Sequence, residues 1–146
     1  ERLNSWEYNI EFIGWKSNPS DVLASILLEN LDKKNEIDKE RQRCVDLYNS
    51  ELEYNNKGLH LYPVLVEDRR KFIEELASDG IQCSVHFLPL HKMTAFKYLN
   101  TDERKMANTN FYGEHLVSLP LFPELTNDNI KHVCNKIKKT GMLLKF

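Results

Sequence analysis

The chain has 146 residues, of which 41% are apolar and 29% charged, and its 20 Lys and Arg against 22 Asp and Glu leave a formal charge of -2. That length suits one domain with its own core rather than two, and the composition excludes a disordered or collagen-like chain. The near-neutral balance excludes a uniformly basic nucleic-acid-binding surface; Lys131, Lys136, Lys138, Lys139 and Lys145 make the C-terminal end locally basic, which reads as a solvated helix face.

From Ser20 onward Val22, Ile26, Leu27 and Leu31, then Ile37, Cys44, Val45, Tyr48 and Leu52, recur largely at spacings of three, four and seven, which predicts one long helix to about residue 52. Ser20 is its expected N-cap, with Asp21 in the first turn where the helix dipole favours an anion. The polar stretch 32–43 is expected to face water or to bend the helix. A helix this much longer than the ordinary globular length of about 11 residues is expected to bridge two domains or line a subunit interface.

After the NNKG turn, residues 60–66 have the apolar and aromatic richness of a strand, with Pro63 placing it at an edge or bulge. Asp68 then caps a helix whose Phe72, Ile73 and Leu76 share one face and which Gly80 closes with a left-handed residue. A second strand is predicted over 81–87, an irregular segment from Pro89, a helix over about 104–115, and a third strand over 116–119 ended by Pro120 and Pro123. Thr126 caps a last helix carrying the stripe Ile130, Val133, Cys134 and Ile137. The whole reads as an α+β fold: a long N-terminal helix, then a small sheet of about three strands with helices packed on one face. Residues 1–52 form the N-terminal segment and interdomain helix, and residues 53–146 a small C-terminal domain.

Cys44, Cys83 and Cys134 make an odd count with no CxxC pair, which points to a reducing, cytoplasmic setting rather than a disulfide framework. No basic stretch leads into an apolar one at the start, and no run approaches the roughly 18 apolar residues of a membrane span. The chain opens at Glu1 rather than at a methionine, so it is expected to begin after processing or inside a longer polypeptide.

The densest cluster of chemically capable residues is Cys83, His86 and His91. Cys and His ligate zinc, but Cys83 and His86 stand three apart on a predicted strand and point to opposite faces, which opposes a shared metal. Two readings stay open: a core thiol with ordinary histidines, or ligand binding by His86 or His91 at a strand end and in a loop, where binding residues concentrate. Residues 14–20, GWKSNPS, lead into a helix, where exposed N–H groups and the Asn18 amide could meet a phosphate, although capping alone explains such residues. His60, His115 and His132 read as packing or surface. Neither a nucleophile motif, GxGxxG nor GxxxxGK occurs.

Four segments in order carry a resemblance: WEYNIEFIGWKSNPSDVLASILLENLDK, HLYPVLV, GIQCSVHFLPLHKMTAF and VSLPLFPELTNDNI. Over about residues 5–138 the chain resembles the DegT/DnrJ/EryC1/StrS sugar aminotransferases, fold type I enzymes dependent on pyridoxal phosphate. The resemblance implies a dimer whose cofactor lies between a large and a small domain, with the neighbouring subunit completing the site. The implied reaction moves an amino group, usually from glutamate, to a keto sugar nucleotide, for lipopolysaccharide or other amino-sugar products.

Residue by residue, the resemblance implies that Asn18 reaches the cofactor phosphate of the partner subunit and that His86 and His91 lie near the sugar-nucleotide pocket. The match departs at Pro19, where Met or Leu is usual, and at Ser17 and Ser25. The Schiff-base lysine, the acid paired with the pyridine nitrogen and the ring-stacking residue belong to segments preceding this chain. No Ser here is followed five residues later by Lys. Transamination needs such an amine, and neither Lys16 nor Lys92 has the surroundings of one. Alone, the chain is therefore expected to be inactive and without cofactor, its partners being a missing large domain or second chain and further copies of itself. The alternative is a non-catalytic binding or assembly module derived from the family.

Overall fold

A run of charged and amide residues interrupts the apolar pattern of the N-terminal third, and the backbone breaks there. In the computed structural model, which describes residues 6–145, α1 (Asp21–Asp32) and α2 (Lys34–Leu52) are parted at Lys33. The single long helix predicted from periodicity is thus two, divided inside the polar stretch. Ser20 occupies the N-cap position in extended conformation, but its side chain makes no capping bond, which corrects its expected role. The two helices differ in surroundings. Cys44, Val45, Tyr48 and Leu52 of α2 are buried along one face, whereas α1 buries nothing and leaves Val22, Leu23, Ile26, Leu27, Leu28 and Leu31 exposed.

The sheet is built from β1 (Tyr62–Leu65) and β2 (Leu116–Leu119), antiparallel, with Tyr62 opposite Leu119 and Leu65 opposite Leu116. Between them, α3 (Arg69–Ser78) starts where Asp68 accepts from the Lys71 N–H at 3.0 Å and is followed by Gly80 at φ 77°. Three short 3-10 turns then lead into α4 (Ala107–His115). The last helix, α5 (Asn127–Thr140), is capped by the Thr126 hydroxyl, which accepts from the Asn129 N–H at 3.2 Å, and ends on Gly141 at φ 65°. Both caps stand where local sequence chemistry requires them.

The predicted strand over 81–87 forms a single bridge, Ser84 with Ser118, so among the described residues the sheet has two strands rather than about three. The reason is chemical. Ser84 and Ser118 exchange both backbone bonds, at 3.1 and 2.8 Å, and in an antiparallel ladder the next such pair toward the start of the segment would be Gln82 with Pro120. Pro120 has no N–H to give. The ladder stops there, and the chain on either side diverges.

One buried cluster joins the inner face of the sheet (Tyr62, Val64, Val117, Leu119) to α2, α3 and α5 through Tyr48, Phe72, Leu76, Ile130 and Ile137. It also takes in Trp6, far from these elements in sequence. Its ring lies under the guanidinium carbons of Arg69 and Arg70, 5.0 and 5.8 Å from the centroid, an arrangement in which the ring quadrupole attracts each cation. The following residues are tied down by Asn9, whose amide accepts from the Thr94 N–H at 3.0 Å and donates to the Thr94 hydroxyl at 2.9 Å.

Phe72 is fully buried, so Phe72→Ala should cost about 3–5 kcal/mol, whereas Thr126→Ala, which removes one cap, should cost about 1 kcal/mol. Urea denaturation followed by circular dichroism checks both. Equal losses would mean that the core does not depend on Phe72 as described.

Candidate functional site

Where the 81–86 segment and the chain leaving β2 diverge, they enclose a cavity of about 620 Å³. Its walls are residues 79–84 on one side and residues 118–122 on the other, with Asn129, His132 and Val133 of α5 and with His60 beside them. The cavity opens where Pro120 ends the ladder. Three imidazoles, His60, His86 and His132, line it together with the Ser84 and Ser118 hydroxyls and the Phe122 ring.

His86 is the best positioned of these. Its Nδ1 lies 3.0 Å from Oγ of Ser118, a residue only 4% exposed, so the ring is oriented by a buried partner on β2. Phe87 stands edge-on to it with centroids 5.0 Å apart, and the peptide bond between the two is cis. The arrangement offers ring nitrogens and hydroxyls to a polar ligand beside an apolar wall, the usual make-up of a small-molecule site.

His91 does not share that cavity. It lies in the first 3-10 turn (Leu90–Lys92), where its Nε2–H donates to Oδ1 of Asn110 on α4 at 2.9 Å. The neighbouring Lys92 pairs with Glu114 at 2.9 Å. The seat of this turn is tight: a Cβ on Gly113 would lie 2.3 Å from Cγ of Pro89, so α4 meets the turn through a bare backbone.

Asn18 is in a third place, on the exposed segment ahead of α1, with its Oδ1 accepting from Lys16 Nζ at 2.6 Å. The structure therefore does not gather Asn18, His86 and His91 into one site within a single chain. Cys83 is buried in the core cluster, and desolvation pushes its thiol up to about 12. Among the described residues no three His, Cys, Asp or Glu side chains gather to hold a metal. His60 and His132, read from sequence as packing or surface, turn out to line the cavity. Only the pairing of distant segments brings them there.

The two lysines weighed from sequence as amines stand away from this cavity. Lys16 is engaged with Asn18 in solvent and Lys92 with Glu114, and neither lines the cavity.

The chain is thus an α+β fold with a cleft at the edge of its sheet and an exposed apolar helix, α1, at its N-terminal side. The profile of the DegT/DnrJ/EryC1/StrS aminotransferase family matches residues 2–138, and the chain belongs to that family. Uncharacterized protein MJ1066 of Methanocaldococcus jannaschii is 36% identical over 92% of this chain and 40% of its own length. The spore coat polysaccharide biosynthesis protein SpsC of Bacillus subtilis is 25% identical over the same shares. Among solved structures, Spr1654 of Streptococcus pneumoniae, assigned as a sugar aminotransferase and solved in PLP and PMP forms, is similar. Its PMP form gives a TM-score of 0.74 at 30% identity, over 94% of this chain and 39% of that one. The chain thus spans about 40% of the length of the curated relatives it matches.

Gly113→Ala should force Pro89 and the His91 turn away from α4, at a cost of about 1–3 kcal/mol, as overpacking does. The imidazole NMR signals of His91 should shift while those of His86 stay in place. Unmoved His91 signals would show that the turn does not depend on this close approach.

Proposed function

We propose that this chain is the small-domain portion of a pyridoxal-phosphate-dependent nucleotide-sugar aminotransferase. The assembled enzyme transfers an amino group from glutamate to a keto sugar nucleotide in amino-sugar or surface-glycan biosynthesis. The observation that carries this reading is the family match across residues 2–138, joined to a length about 40% that of the relatives. The remainder, supplied by a longer polypeptide or a second chain, holds the Schiff-base lysine and most of the cofactor contacts. When bound, the cofactor supplies the electron sink that transamination requires.

On this reading the cavity beside Ser118 lies toward the sugar nucleotide, with His86 as its most defined contact and His91 as a second contact from the neighbouring turn. Asn18, on its exposed segment, faces the cofactor phosphate of the neighbouring subunit in a dimer. On this reading α1 lies against the large domain or the second subunit, and α2, whose buried face is in the core cluster, belongs with residues 53–146 rather than with the N-terminal segment. The apolar side chains of α1, exposed to the extent of 70% at Val22 and 62% at Leu27, support this because a patch of that kind on a soluble protein marks an interface. Three free, buried cysteines fit a reducing cytoplasm.

The chain alone should bind no pyridoxal phosphate, read as the absence of a visible absorbance band after adding the cofactor. Joined to a large domain from a family member, it should transaminate a keto sugar nucleotide with glutamate. Turnover by the 146-residue chain alone would overturn the assignment. Inactivity of every joined form would leave the non-catalytic module as the better reading.

Sedimentation should find the isolated chain self-associated, and Leu23→Glu with Leu27→Glu should reduce it to a monomer. A wild-type monomer would show that α1 seeks no partner.

A further inference from the structure

The cavity exists because residues 118–122 do not close against residues 80–84, and the missing proline N–H explains only half of that. Pro120 still has a carbonyl, and Gln82 still has an N–H, which has no partner among the described residues. What occupies the Pro120 carbonyl is the Tyr48 hydroxyl of α2, donating at 3.1 Å. Tyr48 is fully buried, its ring 4.7 Å from that of Tyr62. Burial pushes the phenol above its ordinary range, which favours the protonated, donating hydroxyl.

The preceding turn of α2 holds the carbonyls that follow. Arg43 Nη2 donates to Leu125 O at 2.8 Å and reaches Pro123 O at 3.5 Å, while its Nη1 donates to Asn127 Oδ1. Glu40 fixes the other edge of the guanidinium through Nε at 2.9 Å. Cys44 Sγ lies 3.8 and 3.7 Å from the Phe122 and Leu125 carbonyls. Pro120 and Pro123 deprive this stretch of two donors, so its acceptors are satisfied from the helix rather than from a neighbouring strand.

We propose that Tyr48 and Arg43 are positioning residues for the cavity: by holding the carbonyls of residues 120–125 on α2, they keep this wall from pairing with Gln82 and hold the cleft open. The role does not depend on what the cleft binds. It makes α2 part of the site although α2 contributes no lining residue. A polar group buried in this way must find another partner if its donor is removed, and the donor that ladder geometry sets opposite Pro120 is the Gln82 N–H.

Hydrogen–deuterium exchange of the 146-residue chain, read on peptides covering 80–84, 120–126 and 130–137, tests this. In Tyr48→Phe, uptake in 80–84 should slow by about tenfold relative to wild type as Gln82 finds the Pro120 carbonyl. Unchanged or faster uptake there would overturn the proposal for Tyr48, which would then be a core-filling ring only. Arg43→Lys keeps the charge, lies at the surface and should fold normally. It should raise uptake in 120–126 by about tenfold while 130–137, inside α5, stays as in wild type; equal uptake in 120–126, or a rise shared by 130–137, would overturn the role of Arg43.

Discussion

The structure depends on how α2 satisfies polar groups that the sheet leaves unpaired. Tyr48 packs on Tyr62 and gives its hydroxyl to Pro120, and the Tyr62 hydroxyl in turn donates to Oδ1 of Asn49 at 2.8 Å. Asn49 and Asn56 then bond to each other, and Asn56 Nδ2 donates to the Pro63 carbonyl at 2.8 Å. Both prolines of the sheet region are thus served by side chains on or just beyond α2. A two-stranded ribbon is marginal on its own; here it persists because a helix supplies both its apolar cover and its missing hydrogen-bond partners.

This arrangement explains why some elements were readable from residues alone and others were not. α3 and α5 carry a complete local code: Asp68 and Thr126 as caps, a one-sided apolar stripe, and Gly80 and Gly141 beyond the ends. The end of β2 was marked by Pro120 just beyond it. The 81–87 segment has the composition of a strand, but whether it pairs is decided by Pro120 and Tyr48, neither of which is near it in sequence. The burial of Trp6 against Arg69 and Arg70 was illegible for the same reason. The break at Lys33 was half legible, since the polar run signalled an irregularity without fixing its form.

The candidate site divides in the same way. His86 and His91 were chosen by residue type and position at a strand end and in a loop, and both are oriented by definite partners, Ser118 and Asn110. That they face different surroundings, and that His60 and His132 join the cavity, follows only from the tertiary arrangement. The apolar residues of α1 were plain in the sequence, but a periodic stripe looks the same whether its cover lies within the chain or beyond it. Family membership supplies a reason for the cover to lie beyond.

The two tryptophans sit at opposite extremes: Trp6 is 7% exposed beneath two guanidinium groups, and Trp15 is 100% exposed ahead of α1. Indole emission moves to the blue as water leaves the ring, so the molecule carries two built-in optical reporters with separate duties. Trp6 senses the integrity of the domain, whereas Trp15 would change only if the proposed partner came to cover the N-terminal segment. Assembly and unfolding are therefore distinguishable in one spectrum, without any added label.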